Sequence, residues 1–250
     1  MRLIILVSIL SLVRSEKHLF DFFNSVPRRC TGSTSGVWKE AWFYPDNCYY
    51  HEFTPPEVKQ CFKTKRIALA GDSLLRNLGG HIAKLMDPSA AYKKSWGNQL
   101  FPEIGLFTYW TPSVYFQQIS NYNYDIIVLS MCAWDMGTYF RGHLKYKHAL
   151  TFALKRIQSQ FKGRLILFLL HKIYPETQGC NKKCKEFNSH ERAHRFRTIQ
   201  LQVAKHLNIE TFDTYGMTDT EFARNDAADA VHYKYNVTRM ETHMLLNMIC

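Results

Sequence analysis

The stretch from Arg66 to Leu85, RIALAGDSLLRNLGGHIAKL, constrains this chain more than any other. Ile67 to Ala70 is an apolar run of the length of a buried strand, and Leu74, Leu75, Leu78, Ile82 and Leu85 follow it at helical spacing. Gly71-Asp72-Ser73 leaves no room for a loop between them, so the chain passes from strand to helix at Ser73. Such a junction offers N–H groups outside the helical ladder and the positive end of the helix dipole, surroundings that steady an oxyanion beside a nucleophilic hydroxyl. Asp and Ser are also favoured helix caps, and for the tripeptide alone capping is the simpler explanation.

A second stretch, DAADAVHY at 226–233, puts Asp229 and His232 on one short loop. A serine hydroxyl is a weak nucleophile until a histidine takes its proton, and that histidine needs a carboxylate to fix its tautomer. Ser73, His232 and Asp229 can fill these three roles. The chain here resembles the SGNH or GDSL hydrolases, and within them the PC-esterase branch, which includes plant polysaccharide O-acetyltransferases and animal neurexophilin-and-PC-esterase proteins. The motifs are GDSLLRN at 71–77, FTYWTPSVY at 107–115, DIIVLSMCAW at 125–134 and DAVHY at 229–233, so the resemblance covers roughly the last three-quarters of the chain. It implies acyl-ester chemistry on O-acetyl groups of a carbohydrate, by hydrolysis or by transfer to a sugar hydroxyl. No cofactor is implied beyond an acetyl donor for a transferase. A lipid or small ester is the alternative substrate.

From Lys65 onward strand-like and helix-like segments alternate, the pattern of an α/β fold with a parallel sheet and helices on both faces. The spacing predicts strands over 66–70, 106–110, 125–131, 164–170 and 209–213, and helices near 73–86, 144–161, 187–207 and 235–248. The resemblance makes this a three-layer, SGNH-like (flavodoxin-like) domain over 63–250. Ligands of open parallel sheets bind beyond the carboxyl ends of the strands, and Ser73, Trp134 and His171 all follow strand ends. His171 alone is explained as a structural residue or as a lining of the cleft.

The oxyanion hole departs from the SGNH pattern. The usual Gly-x-Asn-Asp is missing, and Ser130-Met-Cys-Ala-Trp134-Asp135 stands at the corresponding strand end, with Cys132 and Ala133 where plant PC-esterase relatives have Gly-His. Candidate oxyanion or substrate-binding residues are Asp72, Gly97, Asn98 and Trp134, with Arg76 and Asn77 on the Ser73 helix. Arg76 serves either an anionic intermediate or an ordinary ion pair. The departure supports the opposing class, a catalytically idle glycan-binding or interaction module.

Leu3 to Val13 is an apolar stretch between Arg2 and Arg14, the size of a signal-peptide core, with cleavage expected after Ser15. No later window approaches a spanning length, so the expectation is a protein of the secretory lumen or outside the cell, without a transmembrane segment once the leader is cut. In that oxidising setting the seven cysteines suggest three disulfides among Cys30, Cys48, Cys61, Cys180, Cys184 and Cys250, with pairing left open. Cys132 ends an apolar run and is the odd, buried one. Residues 16–62 carry no clear period and are expected to form an irregular, disulfide-pinned arm, whose Trp38 and Trp42 either pack on the core or stack on sugars. Asn236 begins the one glycosylation sequon, four residues past His232.

Cys180, Cys184, His190 and His194 are zinc-ligand types close together, yet cysteines of a secreted chain oxidise and the histidines fit a solvated helix face, so no metal is expected. Lys and Arg number 32 against 21 Asp and Glu, a formal charge of +11. Such a surface favours anionic partners, acidic glycans above all. No nucleic-acid motif accompanies the charge.

Overall fold

The computed structural model describes residues 28–32, 35–89, 97–100, 104–108, 123–136, 142–177, 180 and 182–250. The leader expected over 1–15 and most of the 107–115 stretch lie outside them.

The arm is more regular than its sequence suggests. It contains β1 (Arg28–Arg29), β2 (Gly36–Lys39), β3 (Trp42–Pro45), β4 (Cys48–Tyr49) and helix α1 (Pro55–Phe62). None is long enough for a period to register. β2 and β3 form an antiparallel hairpin, turned by Glu40 at a φ of 54°. β1 pairs in parallel with β4, and the Cys30–Cys48 disulfide joins them. α1 starts at Thr54, whose N–H and hydroxyl both donate to the Glu57 carboxylate at 2.7 Å. Pro55 and Pro56 open the helix, where an N–H is not needed. The Thr54-x-x-Glu57 signal was in the sequence; only the lack of a longer apolar stripe hid it.

The rest runs β5 (Ile67–Gly71), α2 (Ser73–Met86), β6 (Gly97–Leu100), β7 (Ile104–Thr108), β8 (Ile126–Ser130), α3 (His143–Gln160), β9 (Arg164–Phe168), α4 (Lys182–Phe187), α5 (His190–Leu207), β10 (Glu210–Phe212), α6 (Tyr215–Thr218), α7 (Glu221–Asp226) and α8 (Tyr235–Ile249). Two departures from expectation stand out. The helix expected from 187 is broken, because Ser189 caps α5 by accepting the Arg192 N–H at 3.2 Å. And a strand not expected at all, β6, adds to the sheet edge.

The strand order is β10-β9-β8-β5-β7-β6, five parallel strands with β6 antiparallel on the edge. β5 and β8 are buried along their whole length, as their continuous apolar runs require. From β5 the chain builds outward to one side through β7, and from β8 to the other through β9 and β10. Right-handed crossovers in opposite directions place α2 and α3 on opposite faces; α2 packs with α8, and α3 with α5. The direction of building reverses between β5 and β8, and it is at the carboxyl ends of such strands that open parallel sheets bind ligands.

The C-terminal helix α8 locks the arm to this frame. The Cys61–Cys250 disulfide ties α1 to its end, the Asn247 side chain bonds Arg29 and both backbone groups of His51, and His243 Nδ1 accepts the Phe53 N–H at 3.1 Å. Trp38 donates to the Met217 carbonyl and stacks on Phe222 at 4.3 Å, while Trp42 packs on His243. Both tryptophans therefore serve packing. Cys180 pairs with Cys184, which removes both as zinc ligands, and Cys132 is buried and unbridged. Among the described residues no helix is long and apolar enough to cross a membrane.

Candidate active site

Ser73 is the first residue of α2, two residues past the end of β5, with 3% of its surface exposed. Its N–H lies outside the helical ladder. Asp72, one residue earlier, is the N-cap: its carboxylate accepts the Leu74 N–H at 3.1 Å on one oxygen. The other oxygen accepts from the backbone of Ala133 at 2.9 Å and of Trp134 at 3.4 Å, in the turn after β8. One buried carboxylate thus fastens the serine turn to the neighbouring strand-end turn. Burial pushes the Asp72 carboxyl above the usual range, with these backbone donors opposing the shift. Asp72 is buried, and both of its oxygens hold backbone N–H groups.

His232 approaches from the loop before α8. Its Nε2 lies 2.6 Å from Ser73 Oγ, and its Nδ1 lies 2.8 and 3.1 Å from the two Asp229 oxygens. Asp229 Oδ1 also accepts the N–H groups of Val231 and His232, both at 2.9 Å, an Asx turn that aims the imidazole. Half-burial raises the Asp229 carboxyl, but the bond and charge of His232, with these two N–H groups, outweigh it and hold it at about 2. Asp229 is therefore an acceptor at neutral pH. His232 Nδ1 must carry the proton it shares with Asp229, which leaves Nε2 as an acceptor for the serine O–H.

The loop itself is closed by an antiparallel bridge between Ala227 and Tyr233, with Lys234 N–H donating to the Asp226 carbonyl. Asp226 Oδ2 accepts the Val237 N–H at 3.0 Å and so caps α8, whose own N-cap, Lys234, has no side chain suited to the task. The Ala230 carbonyl accepts from Tyr174 N–H, and the Tyr233 hydroxyl donates to the Lys172 carbonyl at 2.6 Å.

The other expected residues fall as follows. Arg76 and Asn77 are half-buried one turn along α2, and Trp134 is half-buried in the turn after β8. Gly97 registers with Thr108, and Thr108 with Gly71, so the start of β6 lies two strands from the serine turn at the same sheet end. Asn236, of the sequon, lies in the first turn of α8, its amide 3.5 Å from Asp226, and Thr238 is buried with its hydroxyl bonded to the Lys234 carbonyl. Beneath the site a second carboxyl, Asp135, is buried with one oxygen unpartnered among the described residues, and burial with the nearby Asp72 charge pushes it well above the usual range. The role of Asp72 toward Ala133 and Trp134 was not legible in the sequence, because nothing local marks which backbone a cap's second oxygen reaches.

No family model and no curated protein sequence matches the chain. Solved structures match it in shape. The lipase/acylhydrolase from Enterococcus faecalis superimposes with a TM-score of 0.52 at 14% identity, over 73% of this chain and 94% of that one. The fold is SGNH-like. A proposed acylhydrolase from Bacteroides fragilis gives 0.54 at 12% identity over 74% and 86% of the two chains. A proposed GDSL-like lipase from Parabacteroides merdae gives 0.51 at 11% identity over 74% and 95%. At such identities the likeness speaks for the SGNH-like fold alone.

Proposed function

We propose that the chain is a serine-dependent acyl-ester enzyme of the PC-esterase type, acting on O-acetyl groups of carbohydrates in the secretory pathway or outside the cell. The observation that carries this is the continuous hydrogen-bonded chain from Ser73 Oγ through His232 to Asp229. Ser73 Oγ attacks the ester carbonyl while its proton passes to His232 Nε2. The carbon–oxygen bond to the sugar then breaks, and His232 returns that proton to the departing hydroxyl. Water attacking the acyl-enzyme gives an esterase; a positioned sugar hydroxyl gives a transferase, for which an acetyl ester is the donor. Asp229 holds the tautomer and balances the imidazolium. The Ser73 N–H is one oxyanion donor, and the Gly97-Asn98 end of β6 is the candidate second. Neither route needs a metal or a redox cofactor. The formal charge of +11 suits an acidic glycan, and three disulfides are compatible with an oxidising compartment.

The idle-module reading draws on one specific observation: the N–H groups of Ala133 and Trp134 donate to Asp72 and are not free for an oxyanion. A serine-reactive fluorophosphonate, applied to the mature chain beside a Ser73→Ala variant, decides between them. Labelling at Ser73 that vanishes in the variant supports the enzyme; an unlabelled, folded wild type supports the module.

A further inference from the structure

Behind the loop that carries Asp229 and His232 lies a second histidine–carboxylate pair, which the chemistry above does not use. His171 follows β9 and is 2% exposed. Its Nδ1 lies 2.9 Å from Glu241 Oε1 of α8, and its Nε2 lies 2.8 Å from the carbonyl of Val231, inside the Asp229–His232 loop. The same Glu241 oxygen accepts from the Thr214 hydroxyl at 2.8 Å. A carbonyl can only accept, and a carboxylate oxygen that takes a hydroxyl proton bond is also an acceptor. With Glu241 ionised, both ring nitrogens of His171 donate.

We propose that His171 is a positioning residue: a buried, doubly protonated imidazolium that clamps the Val231 carbonyl to Glu241 and so holds His232 in line with Ser73. This rests on the reading of Ser73 as the nucleophile. The charged groups facing the ring fit it. Glu241 supplies the countercharge from α8, Asp72 adds negative potential from the β5–α2 turn, and the Tyr233 ring meets the imidazole edge-on at 4.8 Å. Lys172, the next residue, is turned to Asp219 at 3.0 Å. Burial opposes the charge on His171, yet the attraction and hydrogen bond of Glu241, with the Val231 carbonyl, raise its pKa above the ordinary value. A raised histidine pKa gives a contribution that is complete below the unfolded value and is lost as pH rises through the folded one. The clamp therefore sets an alkaline limit on the order of the catalytic loop.

The test follows both ring nitrogens of His171 by heteronuclear NMR across pH in the full chain, beside the fluorophosphonate labelling rate of Ser73 and the hydrogen exchange of the Val231 and His232 amides. Both nitrogens should stay protonated through neutral pH, with labelling and amide protection declining together as the ring deprotonates. Glu241→Gln should move that alkaline decline to lower pH by at least about one unit, as loss of a buried countercharge requires. His171→Asn should slow labelling about tenfold or more, the scale on which a slightly misplaced catalytic group acts. A neutral His171 ring at neutral pH, or a Glu241→Gln profile identical to wild type, overturns the clamp. Should His171→Asn fail to fold, the wild-type titration and Glu241→Gln still decide. A wild type that is never labelled sinks the ester reading instead; amide protection that follows the His171 titration then still supports the clamp, and protection indifferent to it still overturns it.

Discussion

Ser73 and His232 stand 159 positions apart in the chain and 2.6 Å apart in space. The first is placed by the end of β5, the second by a loop that α7 and α8 hold closed. Because Asp229 is bonded to both the ring and the backbone of His232, the three groups form one unit rather than three contributions.

Substitutions in that unit should be strongly non-additive. Ser73→Ala or His232→Ala is expected to lower kcat on an activated acetyl ester by about 10⁶-fold, and the double variant should be little worse than either single one. Asp229→Asn, which removes the tautomer lock, should cost on the order of 10⁴-fold. Steady-state kinetics check this, with circular dichroism showing that each variant folds.

Gly71 ends β5 against β8, where a Cβ would lie 2.7 Å from Ser130 Cβ and 3.0 Å from its carbonyl oxygen. Gly71→Ala should push these two central strands apart and destabilise the chain by roughly 1–3 kcal/mol, as overpacking does. The same shift moves the Asp72 turn, so a denaturant titration should show lost stability and the serine probe should show slower labelling.

The disulfides should rank by the loop they close. Cys61 and Cys250 are 189 residues apart, Cys180 and Cys184 only 4. Chain entropy gives about 5 kcal/mol for the first and about 2 for the second. Paired serine substitutions, compared by urea unfolding, should reproduce that order. Cys132 should resist alkylation in the native protein and react once unfolded, because burial pushes its thiol pKa far up and hides the sulfur.

Acid should loosen the arm before it reaches the Asp229–His232 loop. Burial and the Arg239 charge lower the His243 pKa from 6.5 to about 4, which suits its acceptance of the Phe53 N–H. The folded pKa is depressed, so this contribution is present above 6.5 and is lost as pH falls to about 4. His243→Gln offers a carbonyl acceptor that does not titrate. Its thermal midpoint should fall less steeply over that range than the wild type, as scanning calorimetry would reveal.

Much of the frame was legible in the residues. The apolar runs Ile67–Ala70 and Ile126–Met131 had to be buried strands, and the leucine spacing after Ser73 had to be a helix, because burial follows a period that short stretches display. Cys132 as the odd thiol followed from the same run. The arm hid its hairpin and α1 because elements of four to eight residues carry too little period. β6 was hidden for a related reason: an edge strand of four residues, GNQL, has no apolar signature.

The sequence alone determined the strand-to-helix junction at Ser73, the Asp229–His232 pair within one loop and the six cysteines set apart from Cys132. These are local facts, settled by spacing and side-chain chemistry within a few residues. Only the tertiary structure decided that Ser73 meets His232, that Cys61 finds Cys250, that Asp72 turns inward to Ala133 and that His171 bridges Glu241 to Val231. Each of those depends on strand order and on which loops the sheet brings to one end, and closing loops of that length is decided by the packing of the whole chain.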